Sequence, residues 1–256
     1  MLTQQTVDRL TSLRLHGLRQ GYEEQLNSGD VAHLGFDDRF GLLVERQWLL
    51  REERRTNKLL KSAQLKQPAC VEDVECDSSR GLDREVLREL SSCRWVKSNR
   101  NLLITGPTGT GKTWLACALS QAACRLGMTA LYQRVPRLAH ELSLARLNGS
   151  YLKLLSKLAK VDLLVLDDLG LSTLESEAQL TLLEIIDDRS SRATLVTSQL
   201  PVDKWYGTFT DPTVADALLD RLLGQSQQVR LKGGTRRGKS NRPESDTNKK
   251  GVKAEI

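Results

Sequence analysis

Aromatic residues make up only 4% of this 256-residue chain. A core so poor in Phe, Trp and Tyr must be packed from Leu, Val, Ile and Ala, which suits helices and a buried parallel sheet. The five cysteines are odd in number and form no C-x-x-C pair, so neither a disulfide framework nor a zinc site is indicated. Cys117 and Cys124 lie seven apart in an apolar helical pattern and read as core residues. No apolar run approaches the roughly 18 residues a membrane span needs. The opening MLTQQTVDRLTSLRL carries charge where the apolar stretch of a signal peptide belongs. The expectation is a soluble, cytoplasmic protein with no membrane partner. No internal repeat is evident.

Charge is present, and it is uneven. The formal balance is +6. Between Arg46 and Lys66, the cations Arg46, Arg51, Arg54, Arg55, Lys58, Lys61 and Lys66 face only Glu52 and Glu53. The stretch after Val229 is basic again, with LKGGTRRGKSNR and a later lysine pair. Basic segments at both ends point to a polyanion, most simply nucleic acid. The plainer alternative is a solvated helix face and a solubilising tail.

Helical spacing dominates residues 1–66. Leu10, Leu13, Leu18 and Tyr22 recur near the helical period. Turn signals at Asn27-Ser28-Gly29-Asp30 precede a second helical stretch carrying Phe36, Phe40, Leu43, Trp48 and Leu49. Gly17, Gly35 and Gly41 weaken both assignments, and Gln67-Pro68 ends the module. Residues 67–100 read as a connector followed by one helix, with Leu82, Val86, Leu90 and Trp95 near one face. From Asn101 the short apolar runs NLLITG, ALYQRV, DLLVLDD, ATLVTSQ and QVRL alternate with helical segments such as WLACALSQAACRLG and AQLTLLEIIDDRSS. That alternation predicts an α/β core over residues 101–232, a parallel sheet covered by helices. Residues 233–256 hold little to bury and read as a basic, disordered tail.

The chemistry lies in the core. Gly106-Pro107-Thr108-Gly109-Thr110-Gly111-Lys112-Thr113 matches G-x-x-x-x-G-K-[ST] and stands between an apolar strand and an apolar helix. Glycines let the backbone curl so that successive N–H groups face phosphate oxygens, and the helix start adds its positive dipole end. Lys112 is expected on the β- and γ-phosphates, and the Thr113 hydroxyl on Mg²⁺. Asp167 ends the apolar run LLVL and is the expected metal partner. Asp168 follows as the candidate for orienting the attacking water, or else as a simple loop cap. In ATLVTSQ, Thr197 and Gln199 share a face by alternation. Thr197, Ser198 and Gln199 all remain candidates for sensing the γ-phosphate, with strand-end solvation as the alternative. Arg221 is a cation on an apolar helix, either a surface residue paired with Asp220 or an arginine finger for a neighbouring subunit.

The chain resembles the IstB-type ATPases, helper proteins of bacterial insertion sequences, which are themselves similar to the DnaC helicase loaders of the AAA+ class. The matching stretches are RRTNKLLKSAQLKQPACVEDVE, GPTGTGKT, LLVLDDLG, TLVTSQLPVDKWYGTFTDPTVADALLDRLL and VRLKGGTRR. The resemblance implies an AAA+ phosphate-loop core, and residues 1–66, read as helical, form a small all-α domain ahead of it that grips a partner or DNA. It implies ATP and Mg²⁺, a ring or helical self-assembly on double-stranded DNA, and a partner transposase. It also makes Arg221 the finger acting in trans and Ser198 or Gln199 the sensor. Asp168 stands where many AAA+ members have Glu, which leaves room for slow hydrolysis. The stretch after Arg230 is short for a helical lid. Three other readings share some of these features: a helicase loader, a small-molecule kinase, and an interaction protein that binds ATP without hydrolysing it. The paired acids and basic flanks weigh against the kinase.

Overall fold

The computed structural model describes residues 2–235 apart from 28 and 32. The disordered-tail expectation therefore falls, from residue 236 onward, outside the described residues, as does Ser28 of the predicted turn. Three helices open the chain: α1 (Leu2–Ser12), α2 (His16–Asn27) and α3 (Phe36–Ala63). Gly17, which weakened the helical assignment, is buried where α2 crosses α3. A Cβ there would sit 2.7 Å from Gln47 Cα, so only glycine admits the close crossing. Its N–H donates to Gln47 Oε1 at 2.9 Å. The far end of α3 leaves this module. Leu59, Leu60 and Ala63 pack into the main core.

One helix was expected between residues 82 and 95, and the structure breaks it. Asp83 caps α4 (Arg84–Ser91) by accepting from Val86 N. Cys93 then takes a left-handed conformation, φ 50°, and a short α5 (Arg94–Lys97) follows. The bend lets Trp95 fold under α4, where its Nε1 donates to Leu90 O at 3.0 Å. The predicted apolar face is still buried, but Leu82 lies ahead of the helix in a bridge to Asp77.

The five predicted strands all form: β1 (Asn101–Thr105), β2 (Ala130–Arg134), β3 (Leu163–Leu169), β4 (Ala193–Ser198) and β5 (Ser226–Arg230). They are parallel, in the order β2-β3-β4-β1-β5. Strand alternation divides the core. Leu102, Ile104, Leu163, Val165 and Leu195 face α4, α5, the end of α3 and α6 (Lys112–Arg125). Leu103, Leu164, Leu166 and Val196 face α7 (Val135–Leu147), α8 (Tyr151–Lys160), α9 (Ser176–Asp188) and α10 (Pro212–Leu223). This is an α/β core, a five-stranded parallel sheet with helices on both faces. Cys117 and Cys124 are buried in it as expected, and all five cysteines are free thiols.

The least ordinary core residue is Arg189, 2% exposed. Its guanidinium donates to the carbonyls of Leu158, Ala159, Val161 and Ala193 and to Thr194 Oγ1. Burial pulls its pKa down to about 10. The carbonyl cage closes the end of α8 and ties it to β4, a structural role that no sequence pattern announced.

Candidate functional site

The ends of β1, β3 and β4 converge on the turn that opens α6. Gly109 and Gly111 have φ of 85° and 95°, conformations that side chains rarely adopt, and Gly111 precedes the first helical residue. Lys112 is buried along the inside of this turn. Its Nζ donates to Gly106 O at 2.7 Å and Pro107 O at 2.8 Å. Thr110 Oγ1 donates to Pro107 O at 2.9 Å, so the loop is braced from within.

Asp167 is fully buried and collects three hydroxyl donors. Thr113 Oγ1 lies 3.0 and 3.1 Å from its two oxygens. Tyr132 OH donates to Oδ2 at 2.5 Å and Thr197 Oγ1 to Oδ1 at 2.5 Å. Lys66 Nζ stands 3.9 Å from Oδ2. Burial, and then the hydrogen bond to Asp167, push the Tyr132 phenol well above its usual range, so it stays a proton donor. Sequence reasoning missed Tyr132 and Lys66. Tyr132 carries no signal in the sequence: only the pairing of β2 with β3, with Tyr132 opposite Val165, brings its ring to the Asp167 side. In the sequence Lys66 is one cation of a charge run.

Asp168 departs from the strand. Its φ is 64°, and the β3–β4 register shifts between Leu166 and Leu169. The Asp168 N–H donates to Thr197 Oγ1 at 3.1 Å, and its carboxylate takes Arg134 Nε at 2.7 Å. The same carboxylate raises the Arg134 pKa through that hydrogen bond and through charge. Arg134, the last residue of β2, was not singled out in the sequence.

The three β4-end candidates separate. Gln199 reaches the phosphate loop, accepting from Thr108 Oγ1 at 2.6 Å. Thr197 serves the two acids. Ser198 is buried and turned away, donating to Leu169 O at 2.7 Å. Arg221 is not brought to this end of the sheet. The Asn101 side chain, at the start of β1, donates to its carbonyl, which puts the length of the strand, about 13 Å, between Arg221 and the loop. Its guanidinium pairs with Asp187 Oδ1 at 2.6 Å rather than with Asp220.

The loop, Thr113, Asp168 and Gln199 line one cleft of 920 Å³. It is lined as well by Lys66, at the end of the N-terminal module, and by Val74, Asp77, Arg80 and Leu82 of the connector. Thr113 and Asp167 offer hard oxygens side by side. Among the described residues no cluster of acids, histidines or cysteines cages a metal by itself. A small divalent cation here would complete its shell with phosphate and water, which is the habit of Mg²⁺.

The family described as "IstB-like ATP binding protein" matches residues 8–244. An insertion sequence ATP-binding protein of Sinorhizobium fredii is 44% identical over 234 residues, covering 91% of this chain and 96% of that protein. The ATP-binding protein of insertion sequence IS1162 from Pseudomonas fluorescens is 48% identical over 214 residues, covering 83% and 93%. Among solved structures the DnaC helicase loader superposes with a TM-score of 0.53 at 19% identity, over 64% of this chain and 97% of that one. At that identity the likeness is one of fold.

Proposed function

Because the chain belongs to the IstB-like ATP binding protein family, we propose that it hydrolyses ATP and assembles on double-stranded DNA to direct or activate a partner transposase. The observation that carries this reading is the meeting of Thr113 with Asp167 at the phosphate loop, with Asp168 on the same cleft. A nucleotide-binding scaffold alone needs the loop; a second acid beside the first has its use in hydrolysis.

In this reading the loop amides and Lys112 hold the β- and γ-phosphates. Thr113 and Asp167 hold Mg²⁺, which when bound offsets the negative charge that builds between those phosphates. Asp168 orients the attacking water and Gln199, already at Thr108, senses the γ-phosphate. Arg221 lies too far from its own loop and serves a neighbouring subunit's, so that hydrolysis requires assembly. The exposed cations Arg51, Arg54, Arg55 and Lys58 on α3 contact the DNA backbone. The domain reading follows the same lines: residues 1–66 grip DNA or the partner, 67–100 connect and supply the first core helix, and 101–232 act as the ATPase. A helicase-loader role shares this core, but the relatives named above belong to insertion sequences, and the loader likeness extends to fold alone.

The test is ATP turnover by purified protein with and without double-stranded DNA over a salt series. Turnover should rise with DNA, and DNA affinity should fall steeply with salt as counterions are released. Turnover indifferent to DNA, with a flat salt response, would refute the proposal. Co-purification of the transposase from the neighbouring gene, and not of a replicative helicase, separates the two partner readings.

A further inference from the structure

Beyond β5 the chain does not leave the core at once. Leu231 N donates to Thr105 O at 2.7 Å, extending the pairing with β1. The Leu231 carbonyl then passes over Gly106 so closely that a Cβ there would stand 2.3 Å from its oxygen. Four residues on, Thr235 lies against Gly109. A Cβ on Gly109 would meet Thr235 Oγ1 at 2.3 Å, its Cβ at 2.7 Å and its Cα at 2.9 Å. The connector holds the segment from the other side. Lys232 N donates to Arg80 O at 2.8 Å, and Arg80 Nε and Nη2 donate to the carbonyls of Lys232 and Gly234 at 3.2 and 3.4 Å. Gly81 admits the Arg230 carbonyl at 2.2 Å from where its Cβ would be. Gly81, Gly106 and Gly109 each stand where this segment passes too close for a Cβ.

We propose that Leu231–Thr235 is a buttress of the phosphate loop and that Thr235 is a positioning residue for nucleotide binding. The inference rests on the nucleotide reading above. A loop whose crest carries Gly109 and Gly111 has wide conformational freedom, and freedom lost on binding weakens affinity. Thr235, seated on Gly109, and Leu231, seated on Gly106, restrict that freedom before nucleotide arrives. Neither touches the reacting atoms. Their effect falls on affinity, equally for ATP and ADP, because both carry the β-phosphate that the loop cradles.

The contact makes a sign-reversal test possible in the full-length chain, with ATP and ADP affinities measured by titration calorimetry. Thr235→Gly removes the buttress and should weaken both nucleotides about tenfold, raising KM while leaving kcat and the melting temperature of the nucleotide-free protein unchanged. Thr235→Ser should bind as the native chain does. Gly109→Ala, which drives a methyl into Thr235, should also weaken binding. In that background Thr235→Gly should strengthen binding, because it removes the obstruction. Unchanged affinity in Thr235→Gly, or a further loss when it is added to Gly109→Ala, would overturn the buttress. Failure of the native chain to bind ATP would instead overturn the nucleotide reading on which it rests.

Discussion

The Arg134 guanidinium and the Asp168 carboxylate are joined by a 2.7 Å hydrogen bond between Nε and Oδ2, across the paired ends of β2 and β3. Asp168 sits with its backbone in the left-handed region, so the strand alone does not aim its side chain. The arginine does. If Asp168 orients the attacking water, Arg134→Ala should lower kcat about tenfold with little change in ATP affinity, while Arg134→Lys keeps part of the rate. Asp168→Asn should lower it further, and adding Arg134→Ala to that variant should have no additional effect. Steady-state kinetics on the four proteins checks the cycle.

The two neighbouring acids should separate in stability as well as in activity. Asp167 is buried and accepts from Thr113, Tyr132 and Thr197. An asparagine there turns an amide donor toward hydroxyls that already donate, which should destabilise the fold by about 1–3 kcal/mol. Asp168 as asparagine loses one ion pair whose arginine is half-exposed, with a cost of about 1 kcal/mol. Urea unfolding of Asp167→Asn and Asp168→Asn gives both values. ATP titrations with and without Mg²⁺ should show metal-dependent binding lost only in Asp167→Asn.

Arg221 makes its ion pair with Asp187 on the surface between α9 and α10. Removing it should cost under about 1 kcal/mol of stability, as exposed pairs do. Arg221→Ala should nonetheless lose hydrolysis and large assemblies on DNA while binding ATP normally. Mixing it with Lys112→Ala protein, which keeps its arginine, should restore some turnover at shared interfaces. Full activity of Arg221→Ala alone would show that the finger is not needed. Sedimentation with DNA and turnover assays on the mixtures decide it.

Alkali should expose the thiol contribution to the core. Burial raises Cys93 and Cys124 from 9.0 to about 11. The unfolded thiols ionise first, so the stability they supply is complete below pH 9 and disappears between about 9 and 11. Each shift corresponds to roughly 2–3 kcal/mol. The Cys93→Ala/Cys124→Ala double variant should be less stable at neutral pH, yet show a shallower decline across that window in denaturant titrations.

Much of this protein follows from local pattern. The loop motif specifies a backbone conformation that few other sequences adopt. Strand and helix periods locate the five strands, because buried parallel strands must be apolar on both sides. Thr113 was legible as the last position of the loop motif, and Asp167 as the acid that ends the apolar run LLVL. What local pattern could not carry is any contact between distant segments. Cys93 breaks a helix whose apolar spacing continues unbroken, because burying Trp95 beneath α4 outweighs a continuous hydrogen-bond ladder.

The partners of the acids are of that second kind. Tyr132 and Arg134 matter because β2 lies beside β3, and Gln199 rather than Ser198 meets the loop because alternation along β4 was anchored by the sheet's register. The stretch after β5, composed like a tail, is held on Gly106 and Gly109 by Arg80, about 150 residues earlier in the chain. Sequence determined where the glycine turn ahead of α6 forms and where the strands run, since both depend on a few adjacent dihedrals and side chains. Tertiary structure alone decided which side chains surround the two acids and what supports the loop, since those depend on strand order and on close approaches that no local rule encodes.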